Sequence, residues 1–239
     1  MSDEFIRTKL VIGNENFEKL KTKKIAIFGI GGVGSYVVEA LARMGIENFL
    51  LVDNDKVSTS NINRQIIALH SSVGRLKVEV MKERILDINP NAKVEIKDTF
   101  FLPENSNEFD FSNYDYIIDA IDTVTGKIEL VLKAQRENVK IISSMGTGNK
   151  IEPSKFKITD IYKTNVCPLA KVMRKELKNR GVKKLKVLYS EELPIKLDEK
   201  VLKECDDNDS RRSVPGSLSF VPSVAGLMIA GEVVRDLIN

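Results

Sequence analysis

The 239-residue chain contains no tryptophan, one histidine and two cysteines, and each scarcity removes a class of chemistry. Cys167 and Cys205 are too few for a disulfide framework, and reduced thiols in a cytoplasmic protein are the expectation. No Cys-x-x-Cys pair occurs, which excludes a tetrahedral thiolate zinc site. His70 stands without the partners of a histidine-based triad, so a packing or surface role is expected of it. The first residues, Met1 to Asn16, are mixed and charged and do not read as a signal peptide. No uninterrupted apolar run approaches the roughly 18 residues of a membrane span. The best candidate, Leu218 to Ile238, meets Glu232, Arg235 and Asp236 and reads as a buried helix at a homodimer contact, with peripheral membrane association as the weaker alternative. The net charge of +3 neither demands nor excludes a nucleic acid.

What the chain does have is concentrated between Lys23 and Gln65. Ile25-Ala26-Ile27-Phe28 is apolar, too short for a helix and followed by glycine, which predicts a buried strand. Gly29-x-Gly31-Gly32-x-Gly34 comes next, and Val33, Val37, Ala40, Leu41 and Met44 then keep helical spacing up to Gly45, a C-terminal cap. A second apolar run, Phe49 to Val52, ends on Asp53. This predicts a βαβ unit with a phosphate-accepting turn. Gly29 would permit the tight turn, Gly31 would let the backbone approach a phosphate, and Gly34 would let the helix pack close. Free amides and the helix dipole favour an anion there. Asp53 lies at a spacing suited to holding ribose hydroxyls.

The residues that follow point to a polyphosphate. A nicotinamide enzyme has no use for Asp53-x-Asp55 followed by Asn61-x-x-Arg64-Gln65, whereas phosphate oxygens want bidentate, charge-assisted donors. Lys77 near the start of a helix can neutralise phosphate charge. Asp122, read as the end of a strand spanning Tyr116 to Ile121, can hold magnesium. Asp119 falls on the alternate side of that strand and reads as structural.

GxGGVGS, DNDKVSTSNINRQ, GRLKVEVMKERILDINP and DAIDTVTGK, in this order, resemble the ubiquitin-activating-enzyme-like adenylyltransferases, which include the thiamine and molybdopterin biosynthesis enzymes. The resemblance implies that Gly29, Gly31, Gly32, Gly34, Asp53, Asp55, Asn61, Arg64, Gln65 and Lys77 bind ATP and that Asp122 lies at Mg2+. It also implies that Arg7 reaches the phosphates, often those of a neighbouring subunit, with Arg64, Lys77 and Asp122 completing the catalytic set. Ser143 to Lys150, Asp160 to Thr164, Cys167-Pro168-Leu169-Ala170 and Val187 to Glu192 resemble one branch, the tRNA threonylcarbamoyladenosine dehydratases. That branch implies a carboxylate-activating ligase acting on a modified adenosine of tRNA, a homodimer, and room for a sulfur-relay partner. The alternative is an adenylyltransferase for a carrier protein ending in Gly-Gly, although its usual zinc cysteines are missing. A non-catalytic nucleotide-binding scaffold and a dehydrogenase remain further readings.

The expected fold is α/β: a Rossmann-like, doubly wound, mainly parallel sheet with helices on both faces. Within a single domain we expect an arm at 1–22, a nucleotide-binding core at 23–150 and a substrate-side elaboration at 151–239. In the arm, Leu10, Val11, Ile12, Phe17 and Leu20 are expected to pack. A helix is predicted over 75–89, a strand at Val94 to Ile96, a polar surface loop from Glu104 to Asn113, a helix through Ile128, Val131 and Leu132, and a strand from Lys140 to Ser144. The tip Met145-Gly146-Thr147-Gly148 reads either as a pocket floor or as a plain loop. Lys171 to Lys186 carries eight bases against Glu176 alone; a solvated helix face and an RNA-phosphate surface both fit, and no interleaved aromatics are present for base stacking. Cys205, among Asp206, Asp207 and Asp209, reads as a bystander rather than a thioester cysteine, because nearby carboxylates disfavour a thiolate. Cys167 reads as structural.

Overall fold

The computed structural model describes residues 4–205 and 215–239. Two short helices, α1 (Ile6–Ile12) and α2 (Asn14–Lys21), lead into β1 (Lys24–Phe28), α3 (Gly34–Arg43), β2 (Asn48–Val52), α4 (Lys77–Ile88), β3 (Lys93–Lys97), β4 (Tyr116–Asp119), α5 (Val124–Arg136) and β5 (Lys140–Ser144). The second half adds β6 (Phe156–Asp160), α6 (Pro168–Asn179), β7 (Lys186–Ser190), α7 (Glu199–Cys205) and α8 (Phe220–Ile238). The strands form one seven-stranded sheet in the order β3-β2-β1-β4-β5-β7-β6. All pairs are parallel except β6 with β7. The doubly wound, mainly parallel architecture expected from the sequence is therefore present.

Apolar runs form these strands because both faces of the sheet are covered. Along β1 the side chains alternate: Ile25 and Ile27 enter the core that also holds residues of α3, α4 and α8, while Ala26 and Phe28 enter a second core with Leu130 and Ala134 of α5. Strand order reverses at β1, with β2 on one side and β4 on the other, so the crevice of an open α/β sheet is expected above the carboxyl end of β1. Phe28, Val52 and Asp119 are level there.

Three local expectations are corrected. Strand β4 stops at Asp119, so Asp122 sits on the following loop and not on a strand end; after a last bond from the Ala120 amide to the Phe28 carbonyl, the partner strand turns away at Gly29. The stretch from Glu104 to Asn113 is not a plain surface loop. Two 3-10 turns, Pro103–Glu108 and Phe111–Asn113, insert Phe109 and Phe111 beside Phe28, with ring centroids 5.5 and 5.6 Å away. Burying two such rings outweighs the polarity of their neighbours. In the arm, Phe17 and Leu20 are buried and Ile12 packs against the main core, but Leu10 and Val11 are 78% and 84% exposed on α1. His70 is exposed on a 3-10 turn.

Helix α8 lies along α3, where Gly226 permits close approach: a Cβ there would meet the Val33 carbonyl oxygen at 2.5 Å. Among the described residues no helix is long and apolar enough to cross a membrane. At the amino end of the sheet, Lys186 of β7 donates to Glu232 (2.7 Å) and Asp236 (2.6 Å) of α8, and the Tyr116 hydroxyl donates to Asp236 at 2.7 Å. These groups border a cavity of about 760 Å³, far from the crevice at the opposite ends of the strands. Burial alone would raise Asp236, but its bonds from Lys186 and Tyr116 prevail and hold it below the usual carboxylate range. The bond from Lys186 likewise lowers Glu232.

Carboxyls depressed in the folded state contribute stability above their unfolded values, and that contribution is lost as pH falls through the folded ones. Denaturant titrations from neutral pH to about pH 3 should show stability dropping below roughly pH 4, near the ordinary carboxylate values. The drop should be smaller in Lys186→Met, where the clasp is already broken.

Candidate active site

The glycine turn explains itself sterically. Gly29 has φ +91°, and a Cβ on it would lie 2.6 Å from the Ala120 carbonyl oxygen of the loop after β4. Gly34 is tighter still, since its Cβ would fall 1.8 Å from the Gly29 carbonyl oxygen. Helix α3 can therefore start against the strand only with glycine at both positions. Gly31 differs: the nearest atom to its would-be Cβ is Gln65 Nε2 at 3.8 Å, which leaves open space over the first turn of α3. The amides of that turn lack intrahelical partners, and the dipole makes the opening attractive to an anion.

Around this opening the sequence-predicted donors assemble. Asp53, just beyond β2, accepts from the amides of Ile30 (2.6 Å) and Asp55 (2.8 Å) and so ties the glycine turn to the second strand. Burial raises its carboxyl above the ordinary value, with Lys77 opposing. Lys77, the first residue of α4, is 5% exposed; its ammonium donates to Asp55 at 2.6 Å and stands 4.0 Å from Asp53. Asn61 closes a 3-10 turn, accepting from the Ser58 amide at 3.2 Å. Arg64 is half-buried beside Gly32, donates to the Ser60 carbonyl and the Asn63 side chain, and is lowered by burial. Gln65 is 6% exposed, and its Oε1 is buried without a hydrogen-bond partner. Its Nε2, the end nearest the open space at Gly31, is an N–H donor that can bond a phosphate oxygen there.

Asp122 is exposed on the loop that abuts Gly29, and among the described residues it accepts from Thr123 alone, at 3.4 Å. No cluster of three metal-ligating groups exists among the described residues. Magnesium is commonly held by one or two carboxylates plus substrate phosphates, so a single free carboxylate beside a polyphosphate opening fits that ion. The loop itself is held by Lys127, which the sequence reading passed over. Lys127 is fully buried and donates to Asp119 (3.0 Å), to the Ile121 carbonyl (3.1 Å) and to the Ser144 carbonyl (2.8 Å). Ser143 donates to the second oxygen of Asp119. Its signal was a lysine one helical turn into the element after a strand-end aspartate.

On the far side of the crevice, the tip after β5 meets the start of α6: Cys167 Sγ lies 3.9 Å from where a Gly146 Cβ would be. Cys167 is buried and free, in line with a structural role. Lys150, also unpredicted, is buried at the end of this tip. It donates to the Glu192 carbonyl and is lowered by burial. The Glu192 carboxylate accepts from the amides of Ile151 and Glu152, fixing the tip to the end of β7. Arg7 is not brought to this crevice. It is exposed on α1, and the neighbouring α2 packs at the opposite end of the sheet, where Phe17 fills the space below Gly45. The Cys205 reading falls outside the residues whose side chains are described.

Comparison with known proteins gives concordant matches. A family model described as the ThiF family matches residues 5–239. The chain is 45% identical to tRNA threonylcarbamoyladenosine dehydratase of Bacillus subtilis over 100% of this chain and 96% of that protein. It is 41% identical to the Escherichia coli protein of that name, over 72% of this chain and 64% of that protein. A crystal structure of the E. coli dehydratase, TcdA, in complex with ATP superposes with a TM-score of 0.88, at 32% identity over 98% of this chain and 93% of that one.

Two contrasts test the site. Gly31→Ala should leave thermal stability nearly unchanged but weaken ATP binding, whereas Gly34→Ala should fail to fold; calorimetry with and without ATP reads both. Lys127→Met should destabilise by about 3–5 kcal/mol, because Asp119 is left buried and alone, and Ser143→Ala by about 1 kcal/mol, as read by chemical denaturation.

Proposed function

The chain belongs to the ThiF family, and from that premise we propose that it is an ATP-dependent enzyme that dehydrates N6-threonylcarbamoyladenosine next to the anticodon of tRNA. The nucleotide half of this reading is carried by one observation: the open space at Gly31 over the first turn of α3, faced by the Gln65 Nε2 donor and with Arg64 beside Gly32. The substrate half is supported by the full-length similarity to the B. subtilis dehydratase. The carrier-protein alternative gains nothing, because a chain with two cysteines cannot build the zinc site of its usual forms. A buried free thiol and a tRNA substrate fit a cytoplasmic enzyme.

The reaction follows from the geometry. ATP lies along the Gly29–Gly34 turn with its ribose hydroxyls donating to Asp53. Lys77 exchanges Asp55 for phosphate oxygens, and Arg64 supplies a second fixed cation, so charge developing on the phosphates is met by donors already in place. A magnesium ion held by Asp122 and the phosphates would add further neutralisation. A carboxylate oxygen of the threonyl group attacks the α-phosphorus and pyrophosphate leaves. An internal nitrogen or oxygen then attacks the activated carbonyl carbon. The new ring bond forms, the bond to the AMP oxygen breaks, and the displaced proton passes to solvent. The nucleophile is part of the substrate, so proximity carries much of the second step, and no protein nucleophile is needed. The site is complete in a homodimer: Arg7, remote from its own crevice, reaches the phosphates bound by a second copy.

Mass spectrometry of nucleosides from modified tRNA incubated with enzyme and ATP should show a product lighter by one water. Arg64→Ala and Asp122→Ala should each reduce its formation by about 10²-fold or more, the scale of losing one charge-stabilising group. An equimolar, co-refolded mixture of Arg7→Ala and Arg64→Ala chains should recover roughly a quarter of wild-type activity, since half the dimers carry one intact site. No recovery would mean that Arg7 does not act across subunits.

A further inference from the structure

The exposed face of α6 is charged unlike any other helix described. Lys171, Lys175 and Lys178 stand at i, i+4 and i+7 and so form one stripe, about 10 Å long at 1.5 Å per residue. Ala170, Met173 and Leu177 occupy the buried side. Lys183 and Lys184 continue the run in the turn before β7. All five lysines are exposed, and among the described residues none has an ion-pair partner. The single acid of the helix, Glu176, is taken by Arg180 at 2.6 Å. Arg174 turns inward to the Thr164 carbonyl. Other surface helices behave differently: Lys21 pairs with Glu18 on α2, Arg84 with Glu39 across from α4, and Arg235 with Glu232 on α8. An ordinary solvated helix face interleaves both signs in this way; five unpaired like charges repel one another and call for an anionic partner.

The stripe also begins at the active site. Cys167 and Leu169, at the head of α6, lie 3.9 and 4.0 Å from the would-be Cβ of Gly146, at the tip of β5. From there α6 runs for about 18 Å, at 1.5 Å per residue, along the sheet to the turn that leads into β7. We propose that the Lys171–Lys175–Lys178 stripe, extended by Lys183 and Lys184, is the track for the tRNA sugar–phosphate backbone leading away from the reacting nucleotide. This rests on the function proposed above and assigns the docking surface of that same substrate. No aromatic side chain of α6 offers a platform for bases, so the track reads phosphate charge and not sequence. It therefore suits an enzyme whose specificity lies in the modified base within the crevice.

The test uses the full chain and threonylcarbamoylated tRNA. A triple variant, Lys171→Gln/Lys175→Gln/Lys178→Gln, changes only exposed side chains, and a control, Lys24→Gln/Lys82→Gln/Lys93→Gln, removes the same charge elsewhere on the sheet and α4. In a salt series the slope of log affinity on log salt should fall by roughly 2–3 in the stripe variant, about one per lost phosphate contact. KM for tRNA should rise about tenfold or more, while kcat and the KM for ATP stay as in wild type and the control shows neither change. An unchanged slope with normal wild-type turnover would overturn the track alone and leave the stripe to an acidic protein. An equal loss in the control would overturn it too, as an effect of net charge. If the wild type neither binds nor dehydrates modified tRNA, the catalytic reading falls and the track with it.

Discussion

Everything at the crevice depends on how closely the first turn of α3 approaches β1 and the loop after β4. That approach is set by missing atoms. With 1.8 Å between the would-be Cβ of Gly34 and the Gly29 carbonyl oxygen, and 2.6 Å between that of Gly29 and the Ala120 carbonyl oxygen, any side chain would push the helix away. The helix start, the Asp53 carboxylate and the Asp122 loop would then no longer share one rim. Asp53 completes the arrangement from the other side by binding the Ile30 amide, so the carboxylate suited to a ribose also fixes the turn suited to phosphates.

The electrostatics of the rim are arranged for exchange. Lys77 rests on Asp55, a partner that is half exposed, while Asp53 stays largely buried and is raised by that burial. A polyphosphate entering the opening offers Lys77 more negative charge than one carboxylate does, and Asp55 can return to water at little cost. Gln65 turns its Nε2, a donor, toward the open space at Gly31. A lysine with an exchangeable partner and an amide donor facing open space both suit an anion.

Much of this was legible in the chain because local rules and the global fold agree there. The strands β1, β2 and β5, the helix α3 and the cap at Gly45 follow from apolar period, glycine spacing and length alone. Where local pattern misled, tertiary surroundings decided the outcome. Phe109 and Phe111 look like strays in an acidic loop until Phe28 is seen beneath them. Strand β4 ends early because its partner β1 turns away at Gly29, whose φ is +91°. The edge pair β6 and β7 carries little periodic signal over five residues each, and the arm helix α1 exposes the leucine and valine that its pattern suggested were covered. Lys127, Lys150 and Glu192 were hidden for another reason: a buried ion or amide tie depends on which loops meet, and nothing in a linear pattern reports that.

The Lys127 ammonium has a consequence for how two ligands communicate. Its three bonds join the segment bearing Asp122 to the last carbonyl of β5, from which the Gly146 tip departs. On the proposed function, the first of these segments borders the nucleotide, and the second would border the modified nucleoside if the tip is the pocket floor. A ligand that shifted either segment would act on the other through that shared cation. By thermodynamic reciprocity, whatever factor the first occupant adds to the affinity of the second is returned in full. Cooperative filling of the two subsites would then follow from one buried nitrogen, with no domain movement required.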